Sequence, residues 1–435
     1  MFELNPFTRA AGMAMNDELK HLQEEAFKLC NSAHFQQVVM DHCNLEKSAF
    51  VRQPDITIHP RDQMLLHSLF HHQDANVGFS QYYNVALQQF YAANQMVQRM
   101  FPHTEKGDLK ILDFACGFGR LLRFLTAAYP AGCITGSEIQ TDALEFVGST
   151  YNIPTVPSCA NPEDFNPQEK FHVIWVASLF SHLPSGLFHQ WLKKLHSCLT
   201  PDGVLCFSVH DACLLPEGHV FPEDEGIFFW PGSENEDLET SIYGTTYVNE
   251  AFVSQAVTIT TGRASNYHRL PRALAHEQDI YIVAANPDTD LTPLAGFRRG
   301  AWGWADERYL ADNGELYLRG WAASVDDGRL DHVDIQVDDQ HFRVPTGTGI
   351  SREDVGLFFN DDRLNNSGWE FRYTIPAGIG PVRVTASART SIGEKALLFT
   401  GEFPRPASVT RPIETTPPAA CNTFWNKMCS FFRKP

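Results

Sequence analysis

Asp113, Gly117, Gly119 and Glu138 are the residues whose types and spacing most directly permit ligand chemistry in this chain. The run Lys110-Ile111-Leu112-Asp113 leads into a small, Gly-rich turn, Phe114-Ala115-Cys116-Gly117-Phe118-Gly119-Arg120. Backbone approaches a ligand closely only where side chains are absent. A helix beginning just beyond such a turn offers unpaired N–H groups and the positive end of its dipole. Asp113 then stands at the carboxyl end of a strand, where open α/β sheets bind ligands. A second acid closes Cys133-Ile134-Thr135-Gly136-Ser137-Glu138. It lies about 20 residues past the turn, the spacing at which an acid reaches ribose hydroxyls in doubly wound folds. His210 ends a later apolar run beside Asp211, and His182 follows another. A histidine at a strand end can take a proton from an acceptor group while a neighbouring carboxylate orients it. Both histidines are candidates for that role.

The spacing also selects the ligand class. A dinucleotide fingerprint has the pattern G-x-G-x-x-G, and the third glycine position holds Leu122, which excludes the NAD-type loop. The segment instead resembles motif I, D-x-G-x-G-x-G, of the class I S-adenosylmethionine (SAM) methyltransferases, with Ala115 in place of the first glycine. Later segments follow in the family's order. Ile153-Pro154-Thr155-Val156 reads as a third strand, with Asn161 after it where the family lays the adenine. Phe171 to Ser178 is a continuous apolar strand, as a central parallel strand should be. Leu179-Phe180-Ser181-His182-Leu183-Pro184 resembles motif IV, with His172 where an Asp is usual. Gly203 to His210 and Gln278 to Ala284 resemble the fifth and last strands.

The resemblance covers roughly Gln63 to Asn286. It implies a Rossmann-like α/β domain with SAM as cofactor. The cofactor would be held by Asp113, Ala115, Cys116, Gly117, Gly119, Arg120, Glu138, Ile139, Asn161 and Ser178. An N-terminal helical layer would cover it, with Tyr82 or Tyr83 reaching the methionine part. His210 with Asp211, or His182, would serve as base.

The elements that must position these residues are legible in outline. Asp17 to Phe27, Asp62 to Phe70 and Gln81 to Met100 carry apolar residues at helical spacing. His67 and His71 lie one turn apart, but no third ligand is placed by the sequence, so no metal is expected. A long insertion holds Ile227-Phe228-Phe229-Trp230 between acidic clusters and reads as a lid or as a solvated loop. Beyond Asn286-Pro287 the periodicity changes to two. Leu316 and Leu318, Val333 to Val337, Trp369 to Tyr373, and Val382 and Val384 each line one face of a strand. This predicts an all-β sandwich, similar to the accessory β domains of bacterial glycan-modifying enzymes. The expected organisation is a helical cap over 1–105, the α/β domain over 106–287, a linker over 288–300 and the sandwich over 301–404. A Pro-rich linker and amphipathic tail follow over 405–435.

Composition bounds the partners. The chain has 435 residues, with 34 basic and 52 acidic side chains and a net charge of −18, which disfavours a general nucleic-acid partner. No apolar run reaches the roughly 18 residues a membrane helix needs, and Met1 to Asn16 lacks a signal-peptide layout. The 10 cysteines show no C-x-x-C pair, as expected of reduced thiols in a cytoplasmic protein. In the tail, Phe424, Trp425, Met428, Phe431 and Phe432 share a helical face near Lys427, Arg433 and Lys434. That face suits an anionic membrane, a partner protein or the chain's own sandwich. The expected acceptor is a hydroxyl on a sugar, glycan or small metabolite. The alternatives are an amine, and a non-catalytic scaffold that has kept the fold.

Overall fold

The computed structural model describes residues 17–232, 242–264 and 266–406. The acidic cluster around Glu234 to Asp237 and the apolar tail from Phe424 lie outside the described residues.

Helices α1 (Asp17–Cys30), α2 (Ala33–His42), α3 (Gln63–His72) and α4 (Ala75–Met100) come first. Asp62 caps α3 by accepting from the amides of Met64 and Leu65, and Asp74 caps α4 by accepting from Val77 N. The Asp74 cap starts α4 before Gln81, where apolar spacing alone places it, because a satisfied N-terminus extends a helix past its apolar stripe.

The α/β domain follows. Its strands are β1 (Ile111–Phe114), β2 (Ile134–Glu138), β3 (Thr155–Pro157), β4 (Phe171–Val176) and β5 (Leu199–Asp211). Helices α5 (Leu122–Ala128), α6 (Thr141–Tyr151) and α7 (Ser185–Ser197) alternate with them. The five strands are parallel in the order β3-β2-β1-β4-β5. The insertion beyond β5 contains an antiparallel ribbon, β6 (Ile227–Pro231) with β7 (Gly244–Val248). The end of β5 extends onto β7, pairing His210 with Tyr247. Helix α8 (Glu250–Thr261) and strands β8 (Tyr267–Leu274) and β9 (Gln278–Ala284) complete the domain, with β9 antiparallel to both β5 and β8. The order of strand addition reverses between the parallel neighbours β1 and β4, and a crevice opens at that switch point.

The C-terminal strands are β10 (Ala301–Leu310), β11 (Glu315–Ser324), β12 (Gly328–Arg329), β13 (His332–Val337) and β14 (Gln340–Pro345). Helix α9 (Glu353–Phe359) and β15 (Gly368–Thr374), β16 (Val382–Arg389) and β17 (Lys395–Phe403) follow. They form two antiparallel sheets, β12-β11-β10 with β15 on β11, and β14-β13-β16-β17. Both contribute to one apolar core that includes Trp321, Trp369, Val333, Ile335 and Val384.

The sheets do not stand apart from the helices. Edge strand β17 is met by polar side chains of α4. Asn76 pairs with both backbone groups of Glu402, and Ser80 Oγ donates to Thr400 O while accepting from Thr400 N. Edge backbone groups are thereby satisfied without another strand. The segment 288–300, expected as a linker, sends Leu294 and Phe297 into the core of the α/β domain and its helices.

Candidate active site

A cleft of about 410 Å³ opens at the carboxyl ends of β1, β2 and β4. Asp113, Ala115, Cys116, Gly117 and Arg120 supply one wall, and Glu138, Ile139 and Gln140 the next. Ser178, His182, His210, Glu277 and Gln278 lie across from them, and Asp62, Met64 and His67 close one side from the N-terminal helices.

The glycine turn is built for close approach. Gly117 has φ +53°, and a Cβ there would meet nothing within 4 Å, so its openness faces the cleft. Gly119 has φ +78° and a different reason to be glycine, because a Cβ would lie 2.5 Å from Tyr151 Cε2. Its smallness serves packing of the turn against α6. Ala115 adopts φ +58°, and Ser178, just past β4, adopts φ +61°. Left-handed backbone at a residue with a Cβ is strained, and here both instances fall at strand ends lining the cleft.

Glu138 is locked in place by the loops around it. Its Oε2 accepts from Gly117 N at 2.8 Å, and its Oε1 accepts from the amides of Ile139 at 2.8 Å and Gln140 at 3.2 Å. Burial raises its pKa against those backbone donors. Asp113 is buried, and its Oδ2 has no hydrogen-bond partner. Burial, then the Glu138 charge, pushes its carboxyl up to about 8, with Arg120 opposing. An orphaned carboxyl oxygen beside a fixed carboxylate, in a cleft walled by glycine, fits a ligand carrying positive charge and a ribose.

The opposite wall is a hydrogen-bond relay. Ser178 N donates to Ser208 Oγ at 2.8 Å, and Ser208 Oγ donates to Gln278 Oε1 at 2.6 Å. This assigns the Gln278 amide, so Nε2 donates to His210 Nε2 at 3.1 Å. The basic nitrogen of His210 is thereby engaged by Gln278. Burial, with His182 next, lowers its pKa to about 3, and the Thr246 backbone acts the other way. His182 is oriented differently. Its Nδ1 donates to Gly244 O at 2.6 Å, leaving Nε2 as the basic nitrogen, and its ring stacks on Tyr243 at 4.7 Å. Burial lowers its pKa to about 4. Both rings are neutral near pH 7.

Five expected site residues sit elsewhere. Tyr83 is fully buried under the cap, donating to Ile56 O at 2.6 Å and accepting from the buried Arg123 guanidinium at 3.1 Å. Tyr82 bonds Asp62 and the same arginine. Arg123 needs these partners because an unpaired buried charge is costly, and that draws both tyrosines away from the cleft. Asp211 pairs with Arg269 at 2.7 Å and so does not orient His210. Asn161 caps its own turn by accepting from Glu163 N, while the preceding Ser158, Cys159 and Ala160 line the cleft. Gly119 packs on Tyr151, as above. Gln278, Glu277, Tyr243 and Tyr247 were not singled out by the sequence. Their only signal is a polar residue opening the last apolar run, and tyrosines amid the insertion. Among the described residues, no group of three or more His, Cys, Asp or Glu is arranged to hold a metal ion.

Residues 111–203 match the family described as Methyltransferase domain. The chain is 25% identical over 117 residues to a malonyl-[acyl-carrier protein] O-methyltransferase of Priestia megaterium, covering 27% of this chain and 42% of that protein. It is 24% identical over 171 residues to the Bacillus cereus protein of the same name, covering 39% and 60%. The chain thus spans about half the length of the curated relatives it matches. A sugar N-methyltransferase structure from Streptoalloteichus aligns at 14% identity over 44% of this chain and 84% of that one, with a TM-score of 0.33. The family match and the strand order, with β9 antiparallel to β5, identify a class I, Rossmann-like methyltransferase domain.

Proposed function

We propose that this chain, which carries a methyltransferase domain over residues 111–203, binds SAM in the strand-end cleft and methylates a hydroxyl on a sugar, glycan or small metabolite. The observation that carries the reading is the pairing of Glu138, fixed by three backbone amides, with the unpartnered Oδ2 of Asp113 in one cleft. When bound, SAM supplies an electrophilic methyl on a positively charged sulfur.

The chain's own residues do the rest. Glu138 holds the ribose hydroxyls, and the open backbone at Gly117 lets the cofactor lie against the turn. Asp113 neutralises the cofactor's positive charge. Arg120, half-buried on the same wall, is placed to meet the methionine carboxylate. His182 takes the acceptor's proton at Nε2, because its Nδ1–H is fixed on Gly244 O. His210 positions Gln278 and Ser178 rather than acting as base. Transfer is an in-line displacement, so alignment in a dry cleft supplies much of the rate. Tyr243 and Tyr247 offer apolar rings to the acceptor on the His182 side.

Calorimetry with SAM and S-adenosylhomocysteine tests the cofactor half of this reading. A well-folded chain that binds neither would overturn it. Mass spectrometry of a sugar and metabolite pool incubated with methyl-labelled SAM identifies the acceptor. A label on nitrogen would replace the hydroxyl assignment.

A further inference from the structure

A second, smaller cavity of about 60 Å³ lies where α4, the β8–β9 turn and the C-terminal sheets meet. Asn84, His276, Glu277, Trp302, Trp304 and Phe359 line it. Glu277 also lines the main cleft, so it stands between the two.

The turn that delivers His276 and Glu277 is strained and held from outside. Glu277 N donates to Leu274 O at 3.1 Å, and the residues between, Ala275 and His276, have φ +51° and +58°. Such a turn favours Asn and Gly. Gln88 of α4 clamps it, donating to Ala273 O at 2.9 Å and accepting from Ala275 N at 2.6 Å. The strain places a histidine against tryptophan, with the His276 ring stacked on Trp302 at 4.7 Å and 8° between planes.

Polar capacity is left open in this cavity. His276 is 1% exposed, and neither of its ring nitrogens has a hydrogen-bond partner; Asn84 is 2% exposed, and its Nδ2 has none either. Buried donors and acceptors are normally satisfied, so these point to something the cavity receives. Burial, with Arg299 and Arg272 next, lowers the His276 pKa to about 3, so the ring is neutral. Burial raises Glu277 to about 7 with Arg272 opposing, so its carboxyl can donate as well as accept near neutrality. Neutral hydrogen-bonding groups beside indole and phenyl faces match a hydroxylated ring with an apolar face. A single water needs about 10–15 Å³ of such space, so the cavity takes one edge of such a ring, not all of it.

We propose that this cavity is an acceptor subsite in which the C-terminal sheets, through Trp302 and Trp304, hold the edge of a pyranose whose reacting hydroxyl lies across Glu277 in the main cleft. The identity of that sugar as the methyl acceptor rests on the methyl-transfer reading; its binding here does not.

The test uses the full chain, with and without S-adenosylhomocysteine, and saturation-transfer NMR on methyl α-glucopyranoside, methyl α-rhamnopyranoside and methyl N-acetyl-β-glucosaminide. At least one should bind. Trp302→Ala and Asn84→Leu should each weaken it about tenfold or more, the effect of losing a stacking face or leaving a buried group unmatched. Trp302→Phe should restore part of the loss, and calorimetric affinity for S-adenosylhomocysteine should stay unchanged in all three. No pyranoside binding by the wild type, or binding unaltered in folded Asn84→Leu and Trp302→Ala, overturns the proposal. Pyranoside binding that falls in the variants, in a protein that does not bind S-adenosylhomocysteine, leaves the subsite standing and removes the methyl-transfer reading.

Discussion

The two walls of the cleft are made in opposite ways. The glycine-turn wall takes Asp113 to Arg120 from one strand-turn-helix and Glu138 to Gln140 from the next. The histidine wall gathers His182, His210 and Gln278 from three strand ends and Tyr243 and Tyr247 from the insertion. The first is held by backbone amides on one carboxylate, the second by a relay of side chains. A wall built on backbone tolerates change at its side chains unless the backbone itself is strained. A wall built on a relay transmits every substitution along its length.

The largest effect should separate the two glycines of the turn. Gly119→Ala adds a Cβ 2.5 Å from the Tyr151 ring at φ +78°, and should lower stability by about 2–4 kcal/mol by overpacking and backbone strain. Gly117→Ala meets no atom within 4 Å, and should lose only about 1 kcal/mol of stability while weakening SAM binding more than Gly119→Ala does. Thermal melts with and without SAM measure both. An equal loss of stability would show that both glycines serve packing.

On the other wall, His182→Ala should lower turnover by about 100-fold with SAM affinity unchanged. His210→Ala should cost less, and Asp211→Ala should act through Arg269 on stability rather than on rate. A larger loss at His210 than at His182 in single-turnover assays would move the proton-accepting role along the relay. Glu138→Gln should weaken SAM binding by about 1–3 kcal/mol, since it replaces a carboxylate acceptor, and calorimetry reads it directly.

A subtler prediction concerns protons. Asp113 has a folded pKa of about 8 against an ordinary value of 3.8, because of burial first and Glu138 second. Without ligand, the native state holds this proton where the unfolded chain has lost it. Its contribution to stability is therefore fully present below about pH 4 and is lost as pH rises through about 8. A bound cation lowers the pKa, so SAM binding at pH 7 should release up to about one proton. Calorimetry in buffers of different ionisation enthalpy would show it, and proton uptake would contradict the assignment.

The smallest expected effect is at Ala115. Ala115→Gly relieves left-handed strain but adds unfolded-state entropy, for a net gain within about 1 kcal/mol. A loss of stability would mean that the methyl group packs productively against the cleft.

The sequence by itself determined the parallel sheet and the glycine-turn wall of the cleft. Asp113, the glycine turn and Glu138 are joined by short connections, so their places follow from local backbone preferences and strand-end position. Period-two patterning likewise announced the strands of the C-terminal sheets, as in the alternating burial of His332–Val337. The tertiary structure decided what long-range partners decide. Arg123 reads as the polar side of an amphipathic turn, yet all of Leu122–Ala128 is buried, because the N-terminal helices cover it and supply Tyr82 and Tyr83 to its guanidinium. Asp211 adjoins His210 in sequence, but successive side chains of a strand point to opposite faces, and Arg269 claims it. Gln278 reaches His210 from 68 residues away, and Trp302 reaches His276 where α4, and Arg299 donating to Pro271 O, tie the sheets to the domain. Spacing along a chain fixes neighbours within an element. Which elements face each other is settled by burial and by the partners that buried charges require.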